Sequence, residues 1–160
     1  MRTSALRWLG VAALGLLCGC SGTDDELRRE LNAARAAWSS HAIDDYDVRE
    51  TMSCFCPPPS RWITHVRAGQ VESVQLIGDP ATWGGDPDAA RQRALEQSRS
   101  VDDAFRKIDD LIGTVASLEV TYDETYGFPT SIAVDQILEA IDDESTRTMA
   151  DLVVVESVGR

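Results

Sequence analysis

The sequence predicts an α+β domain: an antiparallel sheet of about six strands carrying two helices, arranged as two α-βββ halves. Three observations predict it. Apolar residues recur at helical spacing twice, as Leu27, Leu31, Ala34 and Trp38, and as Val101, Ala104, Phe105, Ile108, Leu111 and Ile112. After each of these stretches the pattern changes to period two, the mark of half-buried strands. The chain has 160 residues, 43% of them hydrophobic, which is about one ordinary domain with enough apolar mass for a core.

Ahead of that domain, Met1 to Arg7 form a short basic region, and "WLGVAALGLL" is an apolar run too short for a membrane-spanning helix. This is the build of a secretory signal peptide over residues 1–19. Leu17-Cys18-Gly19-Cys20 resembles the lipobox of bacterial lipoproteins, with the small Gly19 before the cut and the thiol of Cys20 as lipid acceptor. Two or three acyl chains suffice for stable anchoring. The resemblance implies a mature chain beginning at Cys20. Ser21 in the next position implies the periplasmic face of an outer membrane, or the cell surface where there is one membrane.

Residues 20–25 read as a lipidated tether and 26–160 as a single domain. Thr23 and Glu26 have capping-box spacing, so the first helix is expected over 24–40. Tyr46, Val48, Met52, Cys54 and Cys56 then share one strand face, broken by Glu50. "RWITHVRAGQVESVQLI" reads as a hairpin turning at Ala68-Gly69-Gln70, with Trp62, Thr64 and Val66 on one face. The Gly- and Pro-rich stretch 78–98 is expected to be a surface loop with a helical turn in 88–97. Ser100 and Asp103 then resemble a capping box opening the second helix, and Gly113 suits its stop. "SLEVTY", "SIAVD" and "DLVVVES" supply the last three strands.

Acidic residues outnumber basic ones 27 to 15, for a net charge of −12, and loss of Arg2 and Arg7 with the leader leaves 13 basic and takes the charge to −14. Nucleic acid is excluded as a natural partner, because phosphate binding rests on Lys and Arg. The sequence contains no Gly-x-Ser-x-Gly, His-Glu-x-x-His, Gly-x-Gly-x-x-Gly or P-loop pattern. No cofactor or metal is called for, and the acidic pairs read as solvated faces and turns.

Removal of Cys18 and acylation of Cys20 leave Cys54 and Cys56 as the remaining thiols. An oxidising compartment favours a disulfide between them. Two residues apart in an extended strand their Cα atoms would lie about 6.5 Å apart, so a kink is needed. A static bridge, a redox-active pair, a soft-metal ligand pair and two buried free thiols all remain open. Trp83, in "ATWGGD", is either a loop-borne ligand contact or an aromatic folded back on the core.

Trp38, Tyr46, Cys54-x-Cys56, "RAGQV" and "VTYDETYGFPTSIAVD" together resemble an uncharacterised family of bacterial lipoproteins, over roughly residues 30–156. Phe128 stands where that family usually has Tyr, and Asp142 and Asp143 fit its Asp-Asp-Glu element. The resemblance implies class and address, and no activity. Gly127 and Pro129 read as turn residues, while Tyr122, Asp123 and Asp135 around that turn are candidate binding residues. The expectation is a lipid-anchored, non-catalytic envelope module that binds a protein or small ligand. The alternative is a thiol-disulfide protein using Cys54 and Cys56.

Overall fold

A computed structural model describes residues 22–137 and 143–156. The leader, Cys18, Cys20 and Asp142 lie outside them. The elements run α1 (Gly22–Ser40), β1 (Tyr46–Cys54), β2 (Arg61–Arg67), β3 (Gln70–Leu76), α2 (Pro87–Gln97), α3 (Val101–Leu111), β4 (Ser117–Tyr122), β5 (Pro129–Asp135) and β6 (Ser145–Val154). The strands form one open antiparallel sheet in the order β3-β2-β1-β6-β5-β4.

The fold class is as expected, with a third helix added. Asp86 caps α2 by accepting from the Asp88 N–H, and Pro87 sits in the first turn, where its missing N–H is no loss. Only Ala90 and Ala94 of α2 are buried, so a short, polar helix reads in sequence like a loop. The helix α1 also starts earlier than expected, at Gly22, which places Thr23 inside it and makes a helical turn of most of the expected tether. Asp24 and Asp25 in that first turn complement the helix dipole.

The two halves run in the same direction across the sheet. The first meanders outward from central β1 to edge β3, and α2 and α3 carry the chain across to edge β4. The second half then meanders inward to β6, which pairs with β1. Ala68 and Gly69, both at positive φ, close the β2–β3 hairpin, a conformation that matches the strand twist.

Period two decides which side of the sheet is covered. Tyr46, Val48, Trp62, Val66, Val74, Ile132 and Met149 face the helices and are buried. On the other face, Asp47, Arg49, Ile63, His65, Thr146 and Thr148 are half-buried or exposed. The main core joins α1 and α3 to the sheet through Leu31, Trp38, Tyr46, Phe105, Ile108 and Phe128. Trp38 meets Tyr46 edge to face with ring centres 5.4 Å apart. A smaller core of Trp62, Val74 and Ala94 lies under α2.

Candidate functional site

Glu50, the residue that breaks the alternation of β1, is 0% exposed and points toward the helices. Its Oε1 accepts from Thr64 Oγ1, from the Arg99 backbone N–H at 3.2 Å and from Trp62 Nε1 at 3.4 Å. Its Oε2 is paired with Arg147. Trp62 Nε1 also donates to Thr64 Oγ1 at 3.1 Å, and Ser98 Oγ, 3.2 Å from that hydroxyl, donates to Ala94 O. Both carboxylate oxygens are therefore engaged, as a buried charge requires.

Arg147 is 13% exposed in its side chain and also donates from Nη2 to Gln97 O at 2.8 Å. Burial pushes its guanidinium below the ordinary arginine range, and the charge of Arg99 adds to that, while Glu50 opposes both. Two cations are thus held within each other's field.

Arg147 sits on a cross-strand row that builds a pocket floor. Met52 of β1 pairs with Arg147 of β6, which pairs with Ile132 of β5, and in the next row Ser145 pairs with Val134. Ala104, Lys107 and Leu111, spaced i, i+3 and i+7 on one side of α3, form the roof, and Arg99 closes the α2–α3 junction. The cavity, partly open to solvent, is about 130 Å³. Its walls are largely apolar, and three cations border it.

Cys54 ends the row that continues through Ser145 and Val134, since it pairs with Ser145. It is bridged to Cys56, with Cα atoms 5.2 Å apart. The strand stops at Cys54, and that bend supplies the kink the pairing needs. Phe55, between the two cysteines, is 88% exposed.

The other expected site residues lie apart from this pocket. Trp83 follows β3, where its Nε1 donates to Ile77 O at 3.4 Å and its carbonyl accepts from Arg93 Nη2 at 3.0 Å. Tyr122, Asp123, Gly127 and Pro129 cluster at the β4–β5 hairpin, across the full width of the sheet from β3. Tyr122 stacks on Phe105 with ring centres 6.5 Å apart, and burial pushes its phenol up to about 12. Asp123 Oδ1 accepts from the Thr125 and Tyr126 N–H groups at 2.9 and 2.7 Å, an Asx turn. Gly127 has φ +80 and lies against α1, where an added Cβ would meet Ala34 O at 2.6 Å. Pro129 is fully buried at the start of β5, and Asp135 at its end accepts from the Ile137 N–H. These contacts give the hairpin residues architectural roles.

Sequence reading passed over Arg99, Lys107 and Arg147 as members of a site, and took Glu50 only as an interruption. The signal was there: a carboxylate at an inward position of a half-buried strand requires a buried partner.

The fold and pocket define an α+β domain with one helix-covered sheet face and a cation-bordered cavity beneath a helix. By family, the chain belongs to DUF6174, a family of unknown function whose match covers residues 30–154. Comparison with curated proteins and with solved structures finds no match.

Proposed function

We propose that the chain is a lipid-anchored protein of the cell envelope, whose domain is a non-catalytic binding module with its ligand site between α3 and the sheet. The pocket carries this reading. The carboxylate beside it, Glu50, has both oxygens engaged and no exposure, so it serves as a pivot for Arg147 rather than as an acid or base. What remains is a small, mostly apolar concavity with a few charged groups at its border, the lining of a small-molecule site at a reduced scale.

The anchor is supported by Leu17-Cys18-Gly19-Cys20. Because α1 begins at Gly22, a lipid on Cys20 would hold the domain close against the bilayer on the periplasmic or outer surface. Inhibiting lipoprotein signal peptidase with globomycin should leave a heavier, unprocessed chain. Identical products with and without the inhibitor would end the anchored reading. For the binding module, crosslinking and pulldown from intact cells should recover a ligand or envelope partner lost in a Lys107→Glu variant.

A second reading, a thiol-disulfide protein, is favoured by the formed bridge and the exposure of Cys56. In that reaction a substrate dithiol would give two electrons and two protons to the bridge, leaving Cys54 and Cys56 as thiols and the substrate as a disulfide. A Cys54→Ala variant that keeps fold and phenotype removes this reading. Oxidation of a test dithiol peptide by the purified protein would replace the binding reading with it.

A further inference from the structure

The pocket beneath α3 stands out electrically against the rest of the molecule. The mature chain carries about two acidic side chains for each basic one, yet three cations border this cavity, no acid is among its described lining residues, and Glu50, buried beside it, is spent on Arg147. Arg99 donates from Nη1 to the backbone carbonyls of Glu96 and Ser98. Lys107, the only lysine in the sequence, presents three donors at the rim. Among the described residues Lys107 makes no ion pair. Counted over the described lining and Glu50, the excess is two positive charges, on walls formed by Met52, Leu111, Ile132 and Val134.

Resting on the binding-module reading, we propose that this pocket takes a small organic monoanion: a carboxylate head at Arg99 and Lys107, with a short aliphatic body against Ile132 and Val134. The head relieves the repulsion among the cations, with half-buried Arg99 and exposed Lys107 reaching it from the rim and buried Arg147 adding its charge from the floor. The body fills the apolar floor. A cavity of about 130 Å³ suits a body of roughly four to six carbons, since engineered cavities of similar size hold benzene. A bare inorganic anion would leave that floor empty, and a neutral aliphatic molecule would leave the charges facing one another. The ligand is therefore selected by two features at once.

The test uses the full chain as cells process it, purified into phosphatidylcholine nanodiscs if it carries lipid and in buffer if it does not, titrated in parallel with butanoate, butan-1-ol, butylammonium and inorganic phosphate. Methyl resonances of Met52, Leu111, Ile132 and Val134 are the readout. Butanoate should shift them saturably, with affinity at least about tenfold above the other three probes. Lys107→Gln and Arg99→Gln should each weaken it about tenfold while the spectrum elsewhere stays unchanged. No saturable shift with butanoate overturns the proposal. Equal affinity for butan-1-ol overturns it in favour of an uncharged apolar slot, and equal affinity for phosphate in favour of a plain anion site. The anchored envelope reading fails separately, through an unaltered product under globomycin, and leaves the titration interpretable.

Discussion

Two stretches of one strand, a single turn of the pleat apart, stabilise the molecule in opposite ways. Tyr46 and Val48 face an apolar region in which Trp38, Phe105, Ile108 and Phe128 interlock. Glu50 and Met52, on the same face of β1, enter a region held by hydrogen bonds to Thr64, Trp62, Arg99 and Arg147. Packing stabilises the first region outright, through apolar area removed from water. In the second, desolvation of Glu50 and Arg147 consumes much of what their attraction returns. A buried ion pair is a weak device for stability. It is an effective one for fixing a cation in place, and here it fixes Arg147 in the floor of the pocket. The less economical end of the core is the end built for ligand.

The comparison breaks most directly at Glu50. Glu50→Ala strands Arg147 without its partner and should cost about 3–5 kcal/mol in urea unfolding followed by tryptophan fluorescence. The double variant Glu50→Met with Arg147→Met should recover most of that stability, because an apolar pair of similar bulk needs no compensation. Without the charge of Arg147 in the floor it should bind butanoate more weakly, the head contacts at Arg99 and Lys107 remaining. A double variant as unstable as the single one would show that the polar region stabilises by its pairing, contrary to the contrast drawn above.

Next in size is Gly127→Ala in the apolar region. Positive φ and contact with the α1 backbone both oppose a side chain there. The expected loss is about 1–3 kcal/mol in the same assay. Because the strain falls between the β4–β5 hairpin and α1, the pocket methyl resonances should stay in place. Movement of Ile132 and Val134 in this variant would mean that the two regions are coupled.

Removing the bridge comes third. The Cys54–Cys56 ring encloses so few residues that it constrains the unfolded chain little, and Cys54→Ala should cost less than about 2 kcal/mol. Cys54 shares its row with Ser145 and Val134. A change in butanoate affinity on reduction would therefore mark the bridge as part of the pocket wall.

Legibility in the sequence follows the same division. The apolar elements announce themselves: α3 shows its stripe and its Ser100–Asp103 capping box, both present in the structure. The Ala68-Gly69 turn and the alternation of β4 are equally plain. The polar region hides. The inward residues of early β6 are Ser145, Arg147 and Met149, between Thr146 and Thr148, and period two in hydropathy vanishes when an arginine takes an inward position. A bulge where Asp151 adopts positive φ shifts the register between Asp47 and Arg49, so only the apolar tail of β6 reads as a strand. Glu50 and Arg147 each look like an error in a pattern when read alone. Their separation of 97 positions conceals that each error answers the other.

The smallest effect belongs to pH and again separates the regions. Tyr122 lies on the apolar side, where burial raises its phenol from 10.0 to about 12, helped by Glu30. Burial raises the phenol of Tyr46 further. A group that ionises less readily when folded contributes its full stability below the unfolded value, near pH 10. That contribution is lost as pH rises through the folded value, so unfolding by alkali should steepen between about pH 10 and 12. Tyr122→Phe should flatten this part of the curve, and adding Tyr46→Phe should flatten it further at the upper end. Tyr46→Phe alone also strands the Val101 N–H, which now donates to the phenol oxygen at 2.7 Å, so its curve should start lower at neutral pH. If neither substitution changes the alkaline slope, the phenols reach water, and the aromatic packing that sets this region apart from the polar one is looser than the ring contacts imply.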